Sequence, residues 1–285
     1  MRSIKVPTGI GDNVWLLQKL INTGEQFNFQ MGNGNPQRGK QIFDLLPQVS
    51  ASCEYVDGLQ YPTLDKFNVH RERKYWKDID HQDMLLSMNR HLEHGHRIES
   101  FFPDLETTWI MPWQTDEVCD DLPKHKQYIG IYASAYSTAR AWNFWGSKEW
   151  FFLIQELAKV YREACFVIIG ASWDNNIAAE LMQYLKEAGI QFYDTIGTNL
   201  GYFIKLCEHL NYFVAFPSGL PILNETIQQC GTFMFYPPRL EPMMFTWASP
   251  ERIGSKLYQP RLFMPWNEAV NIVLSAMESA KVEPT

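Results

Sequence analysis

The 285-residue chain is 46% hydrophobic and 20% charged, a globular balance that excludes disordered, collagen-like and coiled-coil chains and suits about two domains of roughly 150 residues each. Its formal charge of −7, from 25 Lys and Arg against 32 Asp and Glu, repels nucleic acid and anionic membrane at long range, so a polyanionic partner needs a local basic patch. Ten Trp, 13 Tyr and 18 Phe raise the aromatic content to 14%, more than a core alone demands, and aromatic faces also bind sugar rings and bases.

No stretch approaches the about 18 apolar residues of a membrane span, and the N-terminus lacks the apolar core of a signal peptide. Five scattered cysteines (Cys53, Cys119, Cys165, Cys207, Cys230) show no metal-binding spacing. Together these suit a protein of the reducing cytoplasm.

The chain opens with a predicted strand at 4–6, a tight turn (Gly9-Ile10-Gly11-Asp12) and a helix whose Val14, Leu17, Leu20 and Ile21 fall at helical spacing. A second strand is predicted at 27–31, a helix at 39–46 and a third strand at 53–56. Alternation of this kind predicts an α/β layer on a parallel sheet. From Tyr61 to Trp113 the periodicity fades, and five of the seven histidines gather there (His70, His81, His91, His94, His96) with Arg71, Arg73, Lys74 and Lys77. Residues 66–97 sum to +2, a slightly less negative stretch that also holds Tyr75 and Trp76.

Regularity restarts with a predicted strand at 128–132, a loop of small and hydroxyl residues, and a helix at 148–161. Predicted strands at 165–169, 191–193, 212–216 and 232–236 then alternate with helices at 175–188, 200–210 and 223–230. A last helix, 266–280, is free to cross back onto the first half. The break predicts two α/β halves, 1–122 and 123–285.

Ligands of open parallel sheets bind beyond the carboxyl ends of strands, so the loops there are the candidates. Asp12 after Gly9 and Gly11 is either a general base or a helix cap. Ser134 and Arg140, followed by Trp142 and Trp145, either grip a diphosphate or form a polar surface loop. Gly170, Trp173 and Asp174 offer a turn, a base-covering ring and a ribose acceptor. Ser218, Gly219 and Leu220 open a helix whose free N–H groups suit an anion, with a plain Ser cap as the alternative. His91, His94 and His96 lack a second ligand pair and read as surface histidines. No GxSxG, P-loop or full GxGxxG occurs.

In order, these loops resemble the ADP-heptose:lipopolysaccharide heptosyltransferases and their relatives among GT-B glycosyltransferases. The resemblance rests on Gly11-Asp12, on Ile129 to Trp142, on Val167 to Asp174, on Ser218-Gly219 and on Tyr236-Pro237. Members carry an acid before the S/T-G pair and a His after it, where this chain has Pro217 and Ile222, and Arg140 stands for a family Lys. The resemblance implies two Rossmann-like domains facing a central cleft and an inverting glycosyltransferase that needs neither cofactor nor metal, with a nucleotide-diphosphate sugar held by the second half. Asp12 is then the base, Ser134, Arg140, Ser218, Gly219 and Leu220 hold phosphate, and Gly170, Trp173 and Asp174 hold the nucleoside. Gly9, Gly11, Arg71, Arg73 and Trp76 face the acceptor, a glycan or alternatively a hydroxymethylated base in DNA. A catalytically silent nucleotide-sugar-binding protein of the same fold is the third reading.

Overall fold

The computed structural model describes residues 1–32, 36–59, 75–78, 83–85, 88–133 and 145–280. Two all-parallel sheets form its frame. The first contains β1 (Arg2–Val6), β2 (Phe27–Met31), β3 (Ser50–Tyr55) and β4 (Asp83–Leu85) in the order β3-β2-β1-β4. The second contains β5 (Gln127–Tyr132), β6 (Ala164–Ile168), β7 (Phe192–Asp194), β8 (Tyr212–Ala215), β9 (Gly231–Tyr236) and β10 (Tyr258–Leu262). Its order is β10-β9-β8-β5-β6-β7, the doubly wound arrangement in which the first strand lies beside the fourth.

Strands β6, β8 and β9 are buried at every residue, as expected of parallel strands covered by helices on both faces. The described helices are α1 (Ile10–Leu20), α2 (Pro36–Asp44), α3 (Met88–Glu93), α4 (Ser147–Val160), α5 (Asn175–Glu187), α6 (Leu200–Cys207), α7 (Gly219–Ile227), the single turn α8 (Glu241–Met244) and α9 (Trp266–Ala280). Helix α4 buries Trp150, Leu153, Ile154 and Leu157, an i, i+3, i+4, i+7 stripe. Its start is closed by Glu149, whose Oε2 accepts the Gly146 N–H at 2.8 Å. Gly189, at φ +66°, supplies the left-handed residue that follows α5.

Three expectations change. Helix α9 packs along α4 of its own half, so the crossing to the first half is not seen among the described residues. Helix α7 spans Gly219–Ile227 in place of 223–230, so it opens at the Ser218-Gly219 turn as expected there, with Pro221 accommodated in the first turn, where no N–H is needed. His91 is buried, with Nε2 3.1 Å from Arg97 O and 2.9 Å from Ser100 Oγ, while His94 and His96 are exposed. Among the described residues no helix is long and apolar enough to cross a membrane, and no group of His, Cys, Asp and Glu could hold a metal.

Burial pushes the Cys53 and Cys230 thiols up to about 12 and Cys165 up to about 11, from an ordinary value of 9.0. In the unfolded chain these thiols lose their protons first. Their stabilising contribution is therefore complete below about pH 9 and is lost as pH rises toward their folded-state values. Lys19 works the other way, since burial lowers it to about 8 from 10.5 and its contribution rises with pH across that window. Burial raises Cys119 and Cys207 as well, so with five thiols against one amine the urea midpoint is expected to fall between about pH 8.5 and pH 11, and to fall less in Cys165→Ala. A flat profile in the parent protein would contradict this assignment.

Candidate active site at the junction of the two halves

The switch points of the sheets lie between β1 and β4 and between β5 and β8, which marks the loops after β1, β5 and β8 as the ligand-facing ones. The loop after β5, with Ser134 and Arg140, lies outside the described residues, as do Arg71 and Arg73. The other two loops open α1 and α7, and these helices meet at their N-termini. A Cβ on Gly11 would lie 2.6 Å from Ile222 Cδ1, and one on Gly219 would lie 2.6 Å from Ile10 Cβ and 3.1 Å from Gly11 N. Glycine at both positions permits this approach. Two sets of free N–H groups, each at the positive end of a helix, are thereby brought together across the halves.

On the α7 side, Ser218 is the N-cap with extended backbone (φ −163°), but its side chain makes no capping bond. Its Oγ is buried without a partner. A hydroxyl in that condition carries a desolvation cost that an incoming acceptor atom would relieve. Gly219 and the buried Leu220 follow in the first turn. On the α1 side, the N-cap is Gly9, so Asp12 is not the cap that its residue type allowed. It stands in the first turn, half-buried, where the helix dipole favours an anion. Asn13 donates from Nδ2 to Pro7 O at 2.9 Å and ties the β1–α1 turn to the helix.

The far end of α7 is fixed by a buried polar cluster. Arg252 donates from Nε to Glu225 Oε2 at 2.9 Å and from Nη2 to Glu225 Oε1 at 2.8 Å, and also to Cys230 O at 2.8 Å. Thr232 donates from its hydroxyl to Glu225, and Asn224 Nδ2 donates to Thr232 Oγ1 at 2.7 Å. Trp113 joins from the connecting segment, with Nε1 3.0 Å from Thr226 Oγ1. The run Asn224-Glu225-Thr226 within an apolar helix was the sequence signal for this cluster, and residue-type reading passed over it.

Two candidates move from the site to the interior. Trp76 is 7% exposed, its ring edge-on to Phe27 at 5.8 Å and to Phe102 at 5.1 Å, so it is a core residue and not an acceptor platform. Asp174 is 3% exposed and accepts the Ala171 N–H at 2.8 Å, bracing the turn after β6 at a depth that does not suit a ribose contact. Gly170 belongs to the same turn, its carbonyl accepting the Gly197 N–H at 2.9 Å, and a Cβ there would lie 2.7 Å from Ile196 Cδ1. The backbone of Trp173 lies in the short helical turn 172–174, and its side chain is outside the described residues. Trp145 is buried among Trp150, Phe216, Phe235 and Phe263 at 4.8–6.0 Å, beneath the turn that carries Ser218.

No family model and no curated protein matches the sequence. Solved structures do. The E. coli ADP-heptose LPS heptosyltransferase II superposes with a TM-score of 0.62 at 12% identity, covering 99% of this chain and 100% of its own. The E. coli heptosyltransferase WaaC with ADP gives 0.61 at 12% identity, over 97% and 100%. A glycosyl transferase family 9 protein from Veillonella parvula gives 0.56 at 8% identity, over 97% of each chain. The chain thus has the GT-B glycosyltransferase fold, two Rossmann-like halves arranged as in heptosyltransferases.

Two outcomes test this geometry. Gly219→Ala drives a Cβ into Ile10 Cβ, which rides on backbone and cannot swing aside, and is expected to cost about 1–3 kcal/mol in urea unfolding. Gly11→Ala clashes with the flexible end of Ile222 and meets the Gly219 backbone only at an ordinary 3.7 Å, so it should cost less. Arg252→Ala strands a buried Glu225 carboxylate and is expected to cost about 3–5 kcal/mol, with the paired change Glu225→Met and Arg252→Met recovering most of it. Equal costs for the two glycines, or a mild Arg252→Ala, would contradict the described packing.

Proposed function

We propose that the chain transfers a sugar from a nucleotide-diphosphate donor to an acceptor hydroxyl, with inversion. The observation that carries this reading is the meeting of two helix starts, one bearing Asp12 and the other the unpartnered Ser218 hydroxyl. Asp12 takes the proton of the acceptor hydroxyl as its oxygen attacks the anomeric carbon. The bond from that carbon to the diphosphate oxygen breaks on the opposite face, and the leaving group takes the electron pair. The Ser218 hydroxyl, the N–H groups of Gly219 and Leu220, and Ser134 and Arg140, which follow β5 in the sequence, stabilise the departing charge. These groups supply the positive field that a bound cation supplies elsewhere, so the reaction is expected to need no metal. One structural neighbour is described with ADP, which makes an adenosine diphosphate sugar the first donor to try, with a glycan hydroxyl as acceptor.

The test is a panel of ADP- and UDP-sugars read by release of nucleoside diphosphate. Asp12→Ala is expected to lower kcat by about 10²–10⁴-fold with donor binding retained. Ser218→Ala and Arg140→Ala are each expected to weaken donor binding by about 1.5–3 kcal/mol, and EDTA should leave turnover unchanged. Near-normal turnover in Asp12→Ala removes the base assignment, and undiminished donor affinity in both other variants removes the phosphate assignment.

A further inference from the structure

Gly9 poses a question that the other glycines answer easily. Gly24, Gly58, Gly95, Gly189, Gly197 and Gly254 all sit at positive φ, where a side chain is strained. Gly130 and Gly231 lie against core side chains that a Cβ would strike. Gly9 does neither. Its backbone is extended (φ −68°, ψ 125°), a conformation open to any residue, and it is exposed at the N-cap, where Ser or Asn would cap the helix at least as well. Among the described residues outside its own chain neighbours, a Cβ at Gly9 would come within 4 Å of one group alone, the Asp12 carboxylate, with Oδ2 at 2.9 Å and Cγ at 3.8 Å.

We infer that Gly9 is a positioning residue: by lacking a side chain it lets the Asp12 carboxylate fold back over the start of α1, and any larger residue displaces that carboxylate. The backbone would not yield in its place. Asn13 N–H bonds to Gly9 O at 3.3 Å and Asn13 Nδ2 to Pro7 O at 2.9 Å, which pins the turn on both sides of Gly9. The carboxylate is the terminal group of a rotatable side chain and is the part that moves. Helix α4 provides an internal comparison. Its N-cap is also a glycine with an acid three residues on, but the longer Glu149 leaves 3.4 Å between its Oε2 and a Cβ on Gly146, enough for Ala to be tolerated.

The catalytic meaning of this placement rests on Asp12 being the base, so the experiment separates the two. Crystal structures of the parent, Gly9→Ala and Gly9→Ser proteins show whether the Asp12 carboxylate moves while residues 7–13 keep their Cα positions. Alongside, melting temperature, ADP dissociation constant and turnover of ADP-heptose and UDP-N-acetylglucosamine are measured, with Gly146→Ala as control. Expected for Gly9→Ala and Gly9→Ser are a displaced carboxylate, a melting temperature equal to or above the parent's, ADP affinity within twofold and kcat lowered at least tenfold. Gly146→Ala should leave kcat unchanged. A carboxylate that stays in place, or a shifted backbone with a lowered melting temperature, overturns the inference whether or not either donor is turned over. If the carboxylate moves but Asp12→Asn retains full turnover, the positional role of Gly9 stands and the base assignment falls.

Discussion

The contact of Gly11 with Gly219 is the constraint on which the remaining architecture depends. It lets two helices from different halves approach backbone to backbone, with Ile10 and Ile222 filling the flanks. Placing two positive helix ends together is unfavourable unless negative charge is near, and α1 provides one such charge in Asp12. The α7 end has no carboxylate in its first turn. An anion from outside the chain, such as the diphosphate of the proposed donor, would complete that balance.

The junction is held by more than the two helices. The segment after α3 runs between the halves, with Arg97 donating to Phe245 O at 2.9 Å and Ile98 N–H to Thr246 O at 2.9 Å. Farther on, Met111 N–H reaches Thr226 O, also at 2.9 Å. The same segment is anchored to α1 by the buried Lys19, whose Nζ donates to Glu99 O and Leu105 O. Trp15 of α1 lies 6.1 Å from Trp247 of the second half. Helix α1 is thus gripped at its start by α7 and along its length by the connecting segment, so Asp12 stands on a helix with little freedom to tilt.

Much of this frame was legible because parallel strands write themselves as short, uninterrupted apolar runs. Cys165 to Ile169 and Tyr212 to Phe216 in the sequence became β6 and β8 with boundaries shifted by a residue. Strand β10 was not legible, since Pro260 lies inside it, and a proline fits a strand only at an edge such as the one β10 forms beside β9. What residue type cannot convey is depth. Asp174, Trp76, Trp145 and His91 are all residue types that serve binding sites elsewhere, and burial in the folded chain decided each one. The Ser218-Gly219 turn was legible as a helix start from the chain alone, but that this start lies against that of α1 follows from Gly11 and Gly219, which read separately as ordinary turn glycines.

Helix α7 then explains how one short element can be both scaffold and candidate site. Nine residues long, it could not hold its position on propensity alone. Its last turns carry Asn224, Glu225 and Thr226, every one engaged in buried hydrogen bonds, and the bidentate Arg252 pair stabilises only the arrangement in which both charges are matched. Any tilt of α7 would unpair those groups, so the helix has one permitted pose. With the C-terminal half fixed in that way and the first turn held by the contact of Gly219 with α1, no side-chain cap is needed, and Ser218 can leave its hydroxyl unsatisfied at a cost the fold tolerates. The polar interior of one end and the open hydroxyl of the other are two sides of the same solution: rigidity is concentrated where no ligand reaches, and unmet hydrogen-bonding capacity is kept where a ligand would arrive.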